Sequence, residues 1–335
     1  MLADGFSSRP ETASGLAAAL PAGAAVALVS DRPAALAAFP GPKTAPGAQD
    51  WARSSGKTQL AAALAESLWR SGDVEFLVWI DATSRASVLS GYAAATAAAT
   101  GRDQGGSCES VAAQLISWLE ETSRPWLVVL DDLAGVTNLD GLWPAGPAGR
   151  VLVTSADPAA VPGGVRVVPV GPFSVREATG YLNGRLAADP DKRLGAIDLA
   201  RDLDFEPVAL AQASAVIASS PLSCREYRAH FARRREQFAE SADPRPPAAA
   251  VTWTLSFERA GQLAPGGSAQ LLLALAAMLD GPGIPQTVLA APSAGEFLAG
   301  GGDVQVSGER ALAALEQAGL LSVDPVTAPP TVRVS

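Results

Sequence analysis

Five short apolar, β-rich runs alternate with helical patterns across the first half of the chain, and this alternation constrains the fold more than any other feature. The runs are Ala24–Ser30, Val74–Ile80, Trp126–Leu130, Arg150–Thr154 and Val165–Val170. Each is continuously apolar rather than alternating, as expected of strands covered on both sheet faces. Between them, Leu60, Leu64 and Leu68 share one helical face that stops at Gly72, a suitable C-terminal cap. Val111, Leu115, Trp118 and Leu119 repeat the pattern. Such alternation, with right-handed crossovers, predicts an α/β fold: a five-stranded parallel sheet with helices on both faces.

From Phe173 the strands stop. Ser174-Val-Arg-Glu177 reads as a capping box opening a helix to about Leu186. Helical patterns follow over Leu194–Leu203, Pro207–Ser219 and Ser223–Glu240, and Pro244, Pro246 and Pro247 then mark a boundary. Beyond it lie helical stretches near Thr252–Ala260, Ser268–Leu279 and Glu309–Ala318. Strand-like runs at Leu320–Val323 and Thr331–Val334 flank a Pro-rich loop. Three helices and a terminal hairpin make a winged-helix pattern. A chain of 335 residues suits two or three packed units. The expected division is an N-terminal segment 1–22, an α/β domain 23–172, a helical subdomain 173–245 and a winged-helix-like subdomain 246–335. Asp31–Asp50, rich in proline, and Gly295–Gly302, rich in glycine and alanine, read as flexible loops.

Composition excludes several function classes. A net charge of −9 argues against broad binding to nucleic acid or an anionic membrane. No run approaches the roughly twenty apolar residues of a membrane span. Asp4 precedes the first apolar stretch and no Lys or Arg comes before Arg9, so no signal peptide is read and a cytoplasmic location is expected. Cys108 and Cys224 are too few for a disulfide framework or a metal cage. His230 is the only histidine and sits in a charged helical run, Arg228–Gln237, which reads as a solvated face. Ser-His-Asp and Cys-His chemistry therefore has no candidate.

Two short motifs carry the chemistry. Gly56-Lys57-Thr58 follows a strand and loop and opens a helix, where exposed N–H groups and the helix dipole favour an anion. Gly56 would permit close backbone approach, Lys57 would reach the β/γ-phosphates and the Thr58 hydroxyl would ligate Mg²⁺. The plain alternative is a surface lysine at a helix start, which the dipole disfavours. Only Lys43, Lys57 and Lys192 are lysines in a chain that otherwise uses arginine, and a compact ammonium suits a phosphate cradle. Leu127–Leu130 ends in Asp131 and Asp132, at the strand end that faces the ligand crevice in open α/β sheets. Asp131 could hold Mg²⁺ through water while Asp132 polarises the attacking water; a simple turn after a strand is the alternative.

Together these features resemble the NB-ARC class of STAND P-loop NTPases, over most of the chain from Phe6 onward. Ser55-Gly-Lys-Thr-Gln-Leu-Ala61 looks like the Walker A helix start, and Trp126–Leu133 like the Walker B strand. Gly149–Ser155 looks like the sensor strand, Glu206-Pro207-Val-Ala-Leu210 like the GxP-type motif, and Arg9-Pro-Glu11 like the arginine motif at the domain's start. The resemblance implies a switch binding ATP or ADP with Mg²⁺. Gly56, Lys57, Thr58, Gln59, Arg9 and Pro207 would contact nucleotide, Thr58 and Asp131 the metal, and Asp132 would be catalytic. It further implies partners engaged through C-terminal repeats, and nucleotide-dependent oligomers. Arg333-Val-Ser335 falls where the family's Met-His-Asp motif begins, so the chain reads as a fragment.

Departures from the pattern bear on turnover. Trp51 stands where Walker A has glycine, Ser54 and Ser55 replace glycines, and Ala156 replaces the sensor arginine. Losing that charge would slow phosphoryl transfer more than binding, so an ATPase activity, if present, is expected to be weak. Two rivals stand beside the switch: the same fold kept as a scaffold without nucleotide, and a winged-helix DNA-binding regulator. Net acidity, and the placement of Arg233-Arg234-Arg235 before the winged part, weigh against the latter.

Overall fold

The computed structural model describes residues 6, 9–31, 55–100, 106–241, 246–279, 283–291, 308–324 and 329–334. They fall into two compact units, one ending at Gly171 and one beginning at Pro172. Most of the two loop segments read at 31–50 and 295–302, together with Trp51, Ser54 and Ser335, lies outside the described residues.

The first unit contains α1 (Pro10–Ala19), β1 (Ala25–Ser30), α2 (Lys57–Ser71), β2 (Phe76–Asp81), α3 (Arg85–Thr100), α4 (Cys108–Glu121), β3 (Trp126–Asp131), β4 (Gly149–Ser155) and β5 (Arg166–Val170). Its five strands form one parallel sheet in the order β2-β3-β4-β1-β5. Successive side chains of a strand point to opposite faces, and here both faces are apolar. Val26, Leu28, Leu127 and Leu152 join Leu16 and Leu60 in a core shared with α1 and α2. Ala27, Val29, Val128 and Leu130 join Tyr92 and Leu115 in a core shared with α3 and α4. Full burial of each leucine or valine contributes about 1.5–3 kcal/mol, which explains the unbroken apolar runs of the three inner strands.

The expectation that all five strands are covered on both faces fails at the sheet edges. In β2, Phe76, Val78 and Ile80 are buried but Trp79 is exposed. In β5, only Val170 is fully buried. An edge strand needs one packed face, and a β-rich apolar run alone does not reveal which strands are edges. Helices α1 and α3 also escape periodicity, because their many alanines and serines blur the contrast between faces. The start of β4 fits tightly: a Cβ on Gly149 would fall inside the Trp126 indole, whose Nε1–H donates to the Leu119 carbonyl at 3.0 Å.

The second unit contains α5 (Val175–Arg185), α6 (Ala196–Asp202), α7 (Pro207–Ala218), α8 (Cys224–Ser241), α9 (Ala248–Leu263), α10 (Ser268–Met278), β6 (Ile284–Pro285), α11 (Gln286–Leu289), α12 (Gly308–Gln317), β7 (Leu321–Asp324) and β8 (Thr331–Val334). The capping box forms in full: the Ser174 hydroxyl accepts from Glu177 N–H at 3.3 Å, and Glu177 accepts from Ser174 N–H at 2.7 Å. Helices α5 to α8 close over Leu182, Leu199, Leu210, Ile217 and Phe231. Helices α10 and α12, with the antiparallel β6-β8-β7 sheet, close over Leu272, Leu289, Leu312, Leu315 and Val332. The hairpin is thus joined by a third, two-residue strand too short to show in the sequence. Helix α9 begins at Ala248, earlier than its periodicity suggests, because its first turns serve the core of α5 to α8 through Ala248 and Val251 while Trp253 and Ala260 serve the core of α10, α12 and the small sheet. The buried Thr252 hydroxyl donates to Gln212 Oε1 at 2.6 Å, tying α9 to α7.

Candidate functional site

Parallel order places the C-terminal ends of β1, β4 and β3 side by side, with Val29 in register with Ser155 and Leu130 with Val153. Beyond those ends lies the crevice where open α/β sheets take ligands. Gly56 is the N-cap of α2 and has φ 83°, a left-handed conformation that glycine adopts without the Cβ penalty. A Cβ there would meet nothing within 4 Å, so the backbone angle, rather than crowding, is what asks for glycine. The turn aims the first N–H groups of α2, which lack intrahelical acceptors, outward from the helix start.

Lys57 is only 5% exposed although it is the first residue of α2. Its ammonium donates to the Ser30 hydroxyl, at the end of β1, at 2.7 Å, and to the Ser55 hydroxyl at 3.4 Å. The surface-lysine alternative is therefore excluded: the charge is drawn in over the sheet. The Thr58 hydroxyl donates to Asp131 Oδ1 at 2.9 Å, closing the distance between α2 and β3 across a separation of 73 residues. The same carboxylate oxygen accepts from the Thr154 hydroxyl at 2.6 Å, and that hydroxyl accepts from Asp132 N–H at 2.8 Å. Asp132 has φ 54°, a left-handed conformation that Asp tolerates better than most residues and that the Thr154 bond holds in place.

Burial is the largest influence on Asp131 and raises its carboxyl above the ordinary range. The Thr154 and Thr58 hydrogen bonds pull it down, while the charges of Asp132 and Asp81 push it up. Asp81 ends β2 opposite Asp131 and caps the following turn by accepting from Thr83 N–H at 2.9 Å. A half-buried carboxylate with two carboxylates beside it favours a cation. Among the described residues no cluster of three or more His, Cys, Asp and Glu could hold a metal alone. A divalent ion would take oxygens from Thr58 and Asp131, with phosphate and water completing its shell, as Mg²⁺ prefers.

Arg9, at the head of α1, is 6% exposed and donates from Nη1 to the Ser55 carbonyl at 3.4 Å, next to Gly56. Gln59 lies half-buried in the first turn of α2. Gly56, Lys57, Thr58, Asp131, Asp132 and Arg9 are thus gathered within one unit. Pro207 is the first residue of α7 in the other unit. Ala156 follows β4 and brings no charge. Sequence reasoning overlooked Ser30 and Thr154 as working parts of this cluster. Each stands at or next to the end of a central strand, which is the signal that could have found them.

The sheet order, the glycine turn into α2 and the Thr58–Asp131 contact together decide the fold. The chain has the fold of a P-loop NTPase. No family model and no curated protein matches it. Among solved structures it is similar to the signal transduction ATPase with numerous domains and a tetratricopeptide repeat sensor from Pyrococcus horikoshii. The TM-score is 0.52 at 14% identity, over 100% of this chain and 42% of that one. It is also similar to Cdc6p from Pyrobaculum aerophilum (TM-score 0.42, 14% identity, 97% and 89% of the two chains). A third is the ORC1 protein of Aeropyrum pernix in complex with DNA (TM-score 0.38, 16% identity, 98% and 89%). Among the described residues no helix is long and apolar enough to cross a membrane.

Proposed function

We propose that this chain is a cytoplasmic nucleotide-binding regulatory switch of the NB-ARC type within the STAND ATPases, binding ATP or ADP with Mg²⁺ and turning over slowly or not at all. One observation carries the reading: the Thr58 hydroxyl and the Asp131 carboxylate meet at 2.9 Å, beside a buried Lys57. These are the groups that a phosphate-bound magnesium ion requires, and they arrive from distant parts of the chain. When bound, the ion would neutralise phosphate charge. Lys57 would meet the β/γ-phosphates, Gly56 and the first turn of α2 would donate N–H groups to them, and Asp132 would orient water. Arg9 would brace the loop through Ser55, with Gln59 beside the phosphates. Pro207, with the division into α/β, helical and winged-helix-like parts, belongs to the same reading, as the residue that the family resemblance assigns to the nucleotide. Ala156 leaves the transition-state charge without an arginine at that position, so binding would outlast hydrolysis.

Calorimetric titration of ATP and ADP with Mg²⁺ tests this. Wild type is expected to bind in the micromolar range, and Lys57→Ala to lose roughly 10-fold to 100-fold in affinity. Wild-type affinity weaker than about 1 mM would favour the scaffold reading, and unaltered binding by the variant would place the phosphate site elsewhere.

A further inference from the structure

Helices α7, α8 and α9 border a cleft of about 240 Å³ near the C-terminal end of α7. Val216, Leu222 and Leu255 make its apolar walls, and Tyr227, His230 and Arg259 its polar ones. Pro207, at the opposite end of α7, is roughly 15 Å away along the helix axis, so this cleft is not the place where Pro207 would meet nucleotide.

Two donors of the cleft are not fully used by the fold. Tyr227 is 1% exposed, and among the described residues its hydroxyl has no hydrogen-bond partner. Phenylalanine would fill the same space without stranding a polar atom. Burial pushes the Tyr227 phenol far above its ordinary range, so it stays a protonated donor. Arg259 donates only to neutral acceptors, the Ser219 carbonyl and hydroxyl and the Gln262 amide oxygen. Glu258 also lines the cleft, but its carboxylate is paired with Arg234. The cleft therefore combines an unpartnered donor, a guanidinium hydrogen-bonded to no carboxylate and an apolar wall.

We propose that this cleft binds a small organic acid, its carboxylate taken by the Tyr227 hydroxyl and Arg259 and its aliphatic body laid against Val216, Leu222 and Leu255. The cleft is smaller than the roughly 300 Å³ at which drug-sized sites begin, which suits a short-chain acid. Because all these residues lie in the second unit, the proposal stands or falls independently of nucleotide binding.

His230, the chain's only histidine, lines the cleft and gives a single self-assigning imidazole NMR signal. Titrating the full chain with hexanoate should shift that signal saturably, with a midpoint below about 10 mM. Hexan-1-ol lacks the charge and acetate lacks the apolar body; neither should saturate over the same range. Tyr227→Phe keeps the packing and should raise the hexanoate midpoint roughly fivefold. Arg259→Gln should raise it at least as much, and Arg259→Lys should restore part of the loss. Absence of a saturable hexanoate shift, an equal response to hexan-1-ol, or a midpoint unmoved in Tyr227→Phe would overturn the proposal.

Discussion

The Asp131 carboxyl is half-buried beside two other carboxylates and accepts from two hydroxyls, an arrangement that serves a cation better than it serves the folded protein. Its pKa lies above the unfolded value because of burial. The ionised form therefore destabilises the fold at neutral pH, and the penalty fades as pH falls through the raised folded pKa. Asp131→Asn, whose amide oxygen can still accept from Thr58 and Thr154, should raise the melting temperature of nucleotide-free protein at pH 7. The gain should shrink on acidification. The same variant should weaken magnesium-dependent nucleotide binding by more than about tenfold. Proton competition should make wild-type binding fall off at a higher pH than an ordinary aspartate would give, a profile that calorimetry can follow. Thr154 works differently, because its one hydroxyl both orients Asp131 and holds the left-handed Asp132. Thr154→Val should cost about 1–3 kcal/mol in chemical denaturation, since it leaves the Asp132 N–H without its acceptor.

At the scale of elements, the tightest constraint is where β4 begins. A methyl group on Gly149 has nowhere to go, because the Trp126 ring beneath it is 1% exposed and pinned by its own hydrogen bond. Gly149→Ala should destabilise the chain by about 1–3 kcal/mol, and urea denaturation should show it. By contrast, Gly15→Ala, in the middle of α1 with open space at the added carbon, should be neutral or stabilising. Much of the element layout was legible in the sequence because burial writes itself into composition. Val128 and Leu130 face one core and Leu127 and Val129 the other, so the whole run had to be apolar. The edges β2 and β5 broke that rule, and α1 and α3 hid behind their small residues. At the site, Lys57 and the two aspartates were legible because their residue types are unusual where they stand. Ser30 and Thr154 were not, since a hydroxyl at a strand end differs in nothing but position.

For the molecule as a whole, the two units keep separate hydrophobic cores. Differential scanning calorimetry should resolve more than one transition. A ligand at about 100 times its Kd stabilises the folded state by about 2.7 kcal/mol. Lys57, Thr58 and Asp131 all lie in the first unit, so the transition of that unit should rise with ATP and Mg²⁺, and Lys57→Ala should remove the rise. Inside the second unit, α9 links two cores. A single continuous helix is sunk at one end in the core of α5 to α8 and at the other in the core of α10, α12 and the small sheet, with Thr252 bolted to Gln212 between them. A shaft anchored this way has no joint. Bending that shaft would strain both cores at once, so a disturbance of one is felt in the packing of the other.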